Sequence, residues 1–380
     1  MARVVVFYDD CSPVMLRNGQ TPTSAPCRVP TPSLLGIETS CDETAAAVFS
    51  LEGNLLSNLV ASQHEVHGRF GGVVPELASR KHVERIEEIT HAALNRAGVG
   101  WSDLRAIAVT QGPGLAGALV VGVSFGKALA YALGVPCIGV HHLEGHIASA
   151  WLEYPDFVTP CIVLVVSGGH THLYLVPQRG EYRLLGKTLD DAAGEAFDKG
   201  AKMLGLSYPG GPALDRLAQT GDPSIVRFPR PYLNKGRFNF SFSGLKTSLL
   251  YYLRDRQSRQ ESSLPAHVAA GYQEAIVDVL VEKSFRAVRQ YGVTGLAVVG
   301  GVSANSRLRA VLQARAEKEG IRLALPRMHF CTDNAAMVAA AGWWAYQEQR
   351  WASWDLDAQP GLAIEAMEPF PSFVRRGQGR

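Results

Sequence analysis

Residues 161–190 read CIVLVVSGGHTHLYLVPQRGEYRLLGKTLD. An apolar run, a small polar turn (SGGHTH), a second apolar run, a glycine turn and a third run form the pattern of three consecutive strands. Residues 33–63, SLLGIETSCDETAAAVFSLEGNLLSNLVASQ, follow the same plan with a polar turn (ETSCDET) and a Gly-Asn turn. No obvious identity links the two copies, yet the order of elements is the same. The echo continues downstream. LRAIAVTQGPGLAGALVVGVSFGKALAYALGVPCIGVHHLEGHIASAW, residues 104–151, is strand, Gly-rich turn, helix, strand, helix, and residues 295–346, from GLAVVGGVSANS to GWWAY, repeat it.

Strands alternating with helices imply parallel pairing through right-handed crossovers. The chain is therefore expected to be α/β, with two duplicated domains facing each other across a cleft. The first covers about residues 34–160 and the second about 161–350, with an inserted substrate-proximal region near 190–275. Residues 1–33 form a leader and 351–380 a C-terminal tail. In open α/β sheets ligands gather at the carboxyl ends of strands, so the cleft is the expected site.

Composition sets the bounds. A chain of 380 residues suits two domains. An apolar fraction of 47% is ordinary, and a net charge of +2 gives no global attraction to nucleic acid or membrane, so any basic surface must be local. The cysteines at 11, 27, 41, 137, 161 and 331 contain no C-x-x-C pair, which argues against a zinc ribbon or redox motif and suits a reducing compartment. No apolar run of about 18 residues is present, so no membrane span is expected. The leader's apolar stretch of five residues ends at Asp9 and Asp10, too short for a secretory core, and its Thr/Pro/Ser-rich part reads as disordered. The cytoplasm is the expected location, with mitochondria as the alternative because of the leader.

Three histidines, His141, His142 and His146, follow the run LGVPCIGV. On a helix His142 and His146 share a face, close enough for one metal. An isolated H-x-x-x-H is more often a pair of ordinary helix histidines. The duplication shifts the balance: the equivalent stretch of the second half, HFCTDN, also follows a strand and opens a helix, and it offers Asp333. Pseudo-twofold placement brings Asp333 across to His142 and His146, a two-His-one-carboxylate set with open positions. A zincin would need H-E-x-x-H. Here Glu144 sits roughly 200° around the helix from His142 and points away.

Other stretches carry two readings each. The ETSCDET turn places Thr39, Ser40, Asp42 and Glu43 where they could hold phosphate or metal-bound water, or form a plain hairpin turn. VVSGGHTHL leaves Ser167, Gly168 and Gly169 with little bulk between their amides and a ligand. VVGGVSANSRLR repeats the device at a helix N-terminus and adds Asn305. Asp198 could accept from ribose hydroxyls or be a solvated helix carboxylate, and a Pro-Gly-Gly-Pro break and Asp215 follow it. Residues 227–246, RFPRPYLNKGRFNFSFSGLK, hold five basic and five aromatic residues and no acidic one. That mixture suits single-stranded RNA, or a loop with its aromatics turned inward.

Together ETSCDET, HHLEGH, VSGGHTHL, DDAAGEAFDKGAKMLGL-YPGGP, FSFSGLKT, GGVSAN and CTDNAAM resemble the tRNA N6-adenosine threonylcarbamoyltransferase family, formerly the O-sialoglycoprotein endopeptidase or glycoprotease family, over about residues 34–350. The resemblance implies an actin-like fold of the sugar-kinase and heat-shock-ATPase type. It implies an acyltransferase that moves threonylcarbamoyl from threonylcarbamoyl-AMP to N6 of the adenosine beside the anticodon, in tRNAs reading codons that begin with A. It places metal ligands at His142, His146 and Asp333, with iron first and zinc second. It places adenylate-binding positions at Val165, Val166, Ser167, Gly168, Gly169, Asp198, Gly211, Asp215 and Asn305, and leaves Asp42 or Glu43 to relay the N6 proton. The implied partners are tRNA, a non-catalytic paralogue, a small P-loop ATPase and a synthase of the adenylate, with no membrane. The alternatives are a metalloprotease and a nucleotide-dependent kinase or ATPase on the same fold; the latter has no use for the histidine pair.

Overall fold

The computed structural model describes residues 31–231, 238–259 and 264–364. Its first half runs β1 (Ser33–Glu38), β2 (Glu43–Ser50), β3 (Leu55–Ser62), α1 (His64–Gly68), α2 (Pro75–Ala97), β4 (Leu104–Gly112), α3 (Ala116–Leu133), β5 (Cys137–His141) and α4 (His142–Glu153). The second half runs β6 (Cys161–Val166), β7 (Thr171–Gln178), β8 (Glu181–Lys187), α5 (Ala193–Met203), α6 (Gly210–Ala218), α7 (Ser243–Ser258), α8 (Pro265–Tyr291), β9 (Gly295–Val299), α9 (Ser306–Glu319), β10 (Arg322–Ala324), α10 (Met328–Cys331) and α11 (Ala335–Gln347). The sheets are β3-β2-β1-β4-β5 and β10-β9-β6-β7-β8. They repeat one plan: two antiparallel hairpin pairings, then parallel pairing of β1 with β4 and of β6 with β9.

Near-continuous apolar strands follow from burial on both faces. Along β6, Cys161, Val163 and Val165 point to one core, while Ile162, Leu164 and Val166 point to another built with α8. Along β1, Leu35 and Ile37 face α2 and α3, and Leu34 faces the opposite side.

The helices that end the two halves, α4 and α11, enter a core shared by both sheets. It joins Leu34 and Ala108 of the first sheet to Val163, Val165 and Val299 of the second, with Ile147 of α4 and Val338 of α11 among them. α11 lies directly on the first sheet, although it follows the last strand of the second. A Cβ on Gly36 would stand 2.8 Å from Ala339 Cβ, and one on Gly342 would stand 2.4 Å from Ala108 Cβ. Only glycine lets helix and sheet come this close.

Within the basic and aromatic stretch, Phe228, Phe238, Phe240 and Phe242 are all buried, and Arg230 pairs with Asp278 at 2.8 Å. Among the described residues the inward-facing reading therefore holds. Tyr232, Lys235 and Arg237 lie outside them. Residues 352–364 pack back on the first half: Ala352 N–H donates to the Cys137 carbonyl and Gln359 N–H to that of Gln111, while Leu356 and Ile364 are buried. The leader before residue 31 and the terminal SFVRRGQGR lie outside the described residues. Helix α3 is long and apolar enough to cross a bilayer by length and composition, yet it packs through Ala118, Leu119, Val123 and Ala130 as a wall of the first half.

Overpacking a tight core site typically costs about 1–3 kcal/mol. Gly342→Leu is expected to destabilise the protein by about that amount, read as a lowered unfolding midpoint in urea, because α11 cannot stay seated on β4.

Candidate metal centre and interdomain cleft

Corresponding ends of the two halves build the centre, but only the first is a direct strand-to-helix junction: HFC of HFCTDN closes the short helix α10, which separates β10 from Asp333. His142 opens α4 immediately after β5, and His146 lies one turn on. Asp333 precedes Asn334, whose side chain caps α11 by accepting from Met337 N–H at 3.1 Å. His146 Nε2 lies 3.1 Å and His142 Nε2 3.6 Å from Asp333 Oδ1. The imidazole rings are 4.7 Å apart, and one ligand atom from each residue falls within 4.8 Å of the others. His146 is fully buried, and neither of its ring nitrogens makes an aligned hydrogen bond. A buried imidazole without an aligned hydrogen bond is costly. A divalent metal between the three donors is the partner this set fits.

The surroundings orient His142. Its Nδ1 faces Glu38 Oε2 at 3.2 Å and Ser40 Oγ at 3.1 Å. Glu38 is itself fully buried and accepts from Thr110 Oγ1 at 2.8 Å and from the Ser40 amide. Burial opposes a charged His142, but the Asp333 charge and the Glu38 hydrogen bond outweigh it and hold the group up at about 9. Asp333 sits well below the ordinary carboxylate range: burial would raise it, and His142 and His146 overcome that. This carboxylate–imidazole pattern fixes the tautomer of a metal-binding histidine. His141 has a different job. Its Nδ1 accepts from Leu143 N–H at 3.1 Å to cap α4, its Nε2 meets the Leu362 carbonyl at 3.1 Å, and burial pushes it down to about 3, so it stays neutral.

Glu144 is buried and accepts from Tyr182 Oη at 3.1 Å, with Arg350 at 3.9 Å. It is tied away from the histidine pair, as its position on the helix requires, and cannot serve a zincin-type base.

Two cavities meet in the cleft. One, of about 460 Å³, is lined by Ser40, Asp42, Glu43, His142, Ser167, Gly168 and Gly169. The other, of about 420 Å³, is lined by Phe197, Gly211, Asp215, Asn305 and Met328. Gly168, Asp198, Gly301 and Thr332 belong to both. Val165 and Val166 bury their side chains in the core, so only the turn after them reaches the cavity. Asp198 Oδ1 accepts from the Gly211 amide at 2.9 Å. Asp215 accepts from both the amide and the hydroxyl of Ser306. Asn305 lines the cavity, but its amide is engaged at both ends, capping α9 through Leu308 N–H and donating to Gln273 Oε1 at 2.7 Å. It shapes the wall rather than offering a free side chain.

Sequence reasoning passed over Glu38, His64 and His170. Glu38 stood inside a quoted motif at the carboxyl end of β1, which was a usable signal. His170 lies in SGGHTH, its ring 6.3 Å from that of His142, and burial pushes it down to about 3. His64 had no signal, because only the fold places it beside Glu43, 3.2 Å away. Replacing Glu38 by Gln is expected to weaken zinc binding about 10–100-fold, the usual effect of removing such an orienting carboxylate, measured by competition with a chromogenic chelator.

A family model for tRNA N6-adenosine threonylcarbamoyltransferase matches residues 54–340. The tRNA N6-adenosine threonylcarbamoyltransferase of Geotalea uraniireducens (strain Rf4) is 53% identical over 334 residues, 88% of this chain and 97% of that protein. The Bacillus subtilis (strain 168) protein of the same name is 49% identical over 337 residues, 88% of this chain and 96% of its own. Among solved structures, full-length HypF in its phosphate- and nucleotide-bound form aligns over 84% of this chain and 47% of its own, with TM-score 0.56 at 12% identity. HypF of T. kodakarensis gives 0.54 at 16% identity, over 86% and 49%. The likeness to these structures is one of fold, the duplicated actin-like α/β architecture. With matched residues spanning both repeats and relatives about half identical over nearly their full length, this chain belongs to the tRNA N6-adenosine threonylcarbamoyltransferase family.

Proposed function

We propose that the protein transfers the threonylcarbamoyl group from threonylcarbamoyl-AMP to N6 of the adenosine beside the anticodon, in tRNAs reading codons that begin with A. The observation that carries the reading is the convergence of His142, His146 and Asp333 on one point of a cleft that also holds a glycine turn. Iron first, and zinc second, is the metal these residues would hold, and it would supply Lewis-acid polarisation of the acyl-phosphate oxygens.

The chain's own groups do the rest. Gly168 and Gly169 put no bulk between the turn and a phosphate, whereas the Ser167 N–H is already engaged, donating to the His170 carbonyl at 2.8 Å. Asp198 stands where a ribose hydroxyl can donate to it, and burial raises its carboxyl above the ordinary value. Phe197, Met328 and Val302 give the second cavity apolar surface for an adenine. Asp42 and Glu43 line the first cavity and are the carboxylates available to receive the N6 proton. A protease reading loses its base with Glu144, and a kinase reading leaves the histidine pair without a task.

For the expected paralogue, P-loop ATPase and adenylate synthase, one exposed face is available: along α3, Val120, Ser124, Ala128 and Tyr131 are exposed at helical spacing.

Incubated with such partners, tRNA, bicarbonate, threonine and ATP, the wild-type protein is expected to yield threonylcarbamoyladenosine in tRNA digests read by mass spectrometry. His146→Ala should abolish it and Glu144→Gln should retain it; modification that survives in His146→Ala would overturn the metal-centred reading. Asp198→Ala is expected to weaken AMP binding about tenfold or more, the scale of a lost hydrogen bond to a charged group, read by calorimetry.

A further inference from the structure

A second group of metal-type donors lies in the cleft, beside the first centre and sharing no residue with it. Asp42, Glu43 and His64 each place a ligand atom within 4.8 Å of the others. The hairpin sets this arrangement. Glu43 opens β2 opposite Ser62 at the end of β3, and the Gln63 amide donates to the Asp42 carbonyl at 3.0 Å. The next residue, His64, is thereby held over the two carboxylates. His64 Nε2 lies 3.2 Å from Glu43 Oε1 and 3.7 Å from Asp42 Oδ2.

Two observations point to a ligand here. Each carboxylate side chain is only 9% exposed, yet Asp42 Oδ2 has no hydrogen-bond partner. A buried carboxylate oxygen left unpaired is expensive. The position is also right for an ion that serves a ligand: Asp42 and Glu43 line the cavity next to the first centre, and His64 lines the one that holds Asp198 and Asp215.

We infer that Asp42, Glu43 and His64 form a second divalent-cation site, distinct from His142, His146 and Asp333, where the two cavities of the cleft join. Two carboxylates suit the Mg²⁺ and Mn²⁺ class, and the single imidazole favours Mn²⁺ over Mg²⁺. An ion there stands where the phosphate of an adenylate would lie; that clause rests on the function proposed above, whereas the binding itself does not. Carboxylates that hold a cation are not free to accept a proton, so occupancy also decides between the two roles open to Asp42 and Glu43.

The test is an ion count on the full chain. Protein stripped by chelation and loaded with one equivalent of Zn²⁺ is titrated with Mn²⁺, with free Mn²⁺ followed by electron paramagnetic resonance. One further Mn²⁺ per chain is expected. Asp42→Asn and Glu43→Gln, which keep side-chain shape, should weaken that binding about tenfold or more, as loss of a ligand does. His146→Ala, titrated without zinc, should still take up Mn²⁺ at this site. Wild-type protein that leaves Mn²⁺ free would overturn the inference, and so would binding lost in His146→Ala but kept in Glu43→Gln. Because the count needs no tRNA, its failure leaves the transferase reading standing, and failure of tRNA modification leaves the count intact.

Discussion

The seat of α11 on the first sheet is the contact on which the rest of the structure depends. Glycine at 36 and 342 lets the helix lie against β1 and β4 at a distance no side chain would allow. That seat holds the last helix of the second half against the strands of the first and brings its N-terminus beside the N-terminus of α4. The two junctions, related by the duplication, then face each other. Two imidazoles from one and a carboxylate from the other meet at the floor of the cleft. Raising α11 off the sheet would separate Asp333 from the histidines without altering any residue of the centre.

The chemistry of the site comes from this placement combined with burial. Inside a poorly solvated pocket, charges act on each other strongly, so His142 is held up by two carboxylates while His141 and His170, close by in the same region, are pushed down. Three histidines within a short distance thus differ: His142 is held up beside carboxylates, His141 caps a helix and His170 is a neutral neighbour. The glycine turn after β6 adds backbone donors without bulk. The cleft combines metal-type donors, a glycine turn and an apolar wall.

Much of this was legible in the sequence because it depends on order and period. The duplicated strand pattern of residues 33–63 and 161–190 implies two sheets of equal plan, and the sheets have the same strand order. The set His142, His146 and Asp333 was legible because HHLEGH and HFCTDN occupy equivalent places in the repeat. What escaped depends on packing between distant segments. Nothing local in WWAY says that its helix sits on the other half's sheet. The phenylalanines of residues 227–246 resemble an RNA-stacking surface until α8 supplies the core that buries them. Asn305 reads as a ligand-binding amide, and the need to cap α9 engages it first. His64 joins Glu43 only because the β2–β3 register carries it there.

The return of the chain's end to its beginning has a consequence for biosynthesis. Both α11 and the strap from Ala352 to Ile364 complete the first sheet: Ala352 and Gln359 bond to the backbone beside β5 and β4, and the Leu362 carbonyl meets His141. The first half therefore lacks one of its covering layers until residues 335–364 have left the ribosome. Domains usually fold in order of emergence; here the nascent first half must wait, with apolar strand faces uncovered, for those residues to be made.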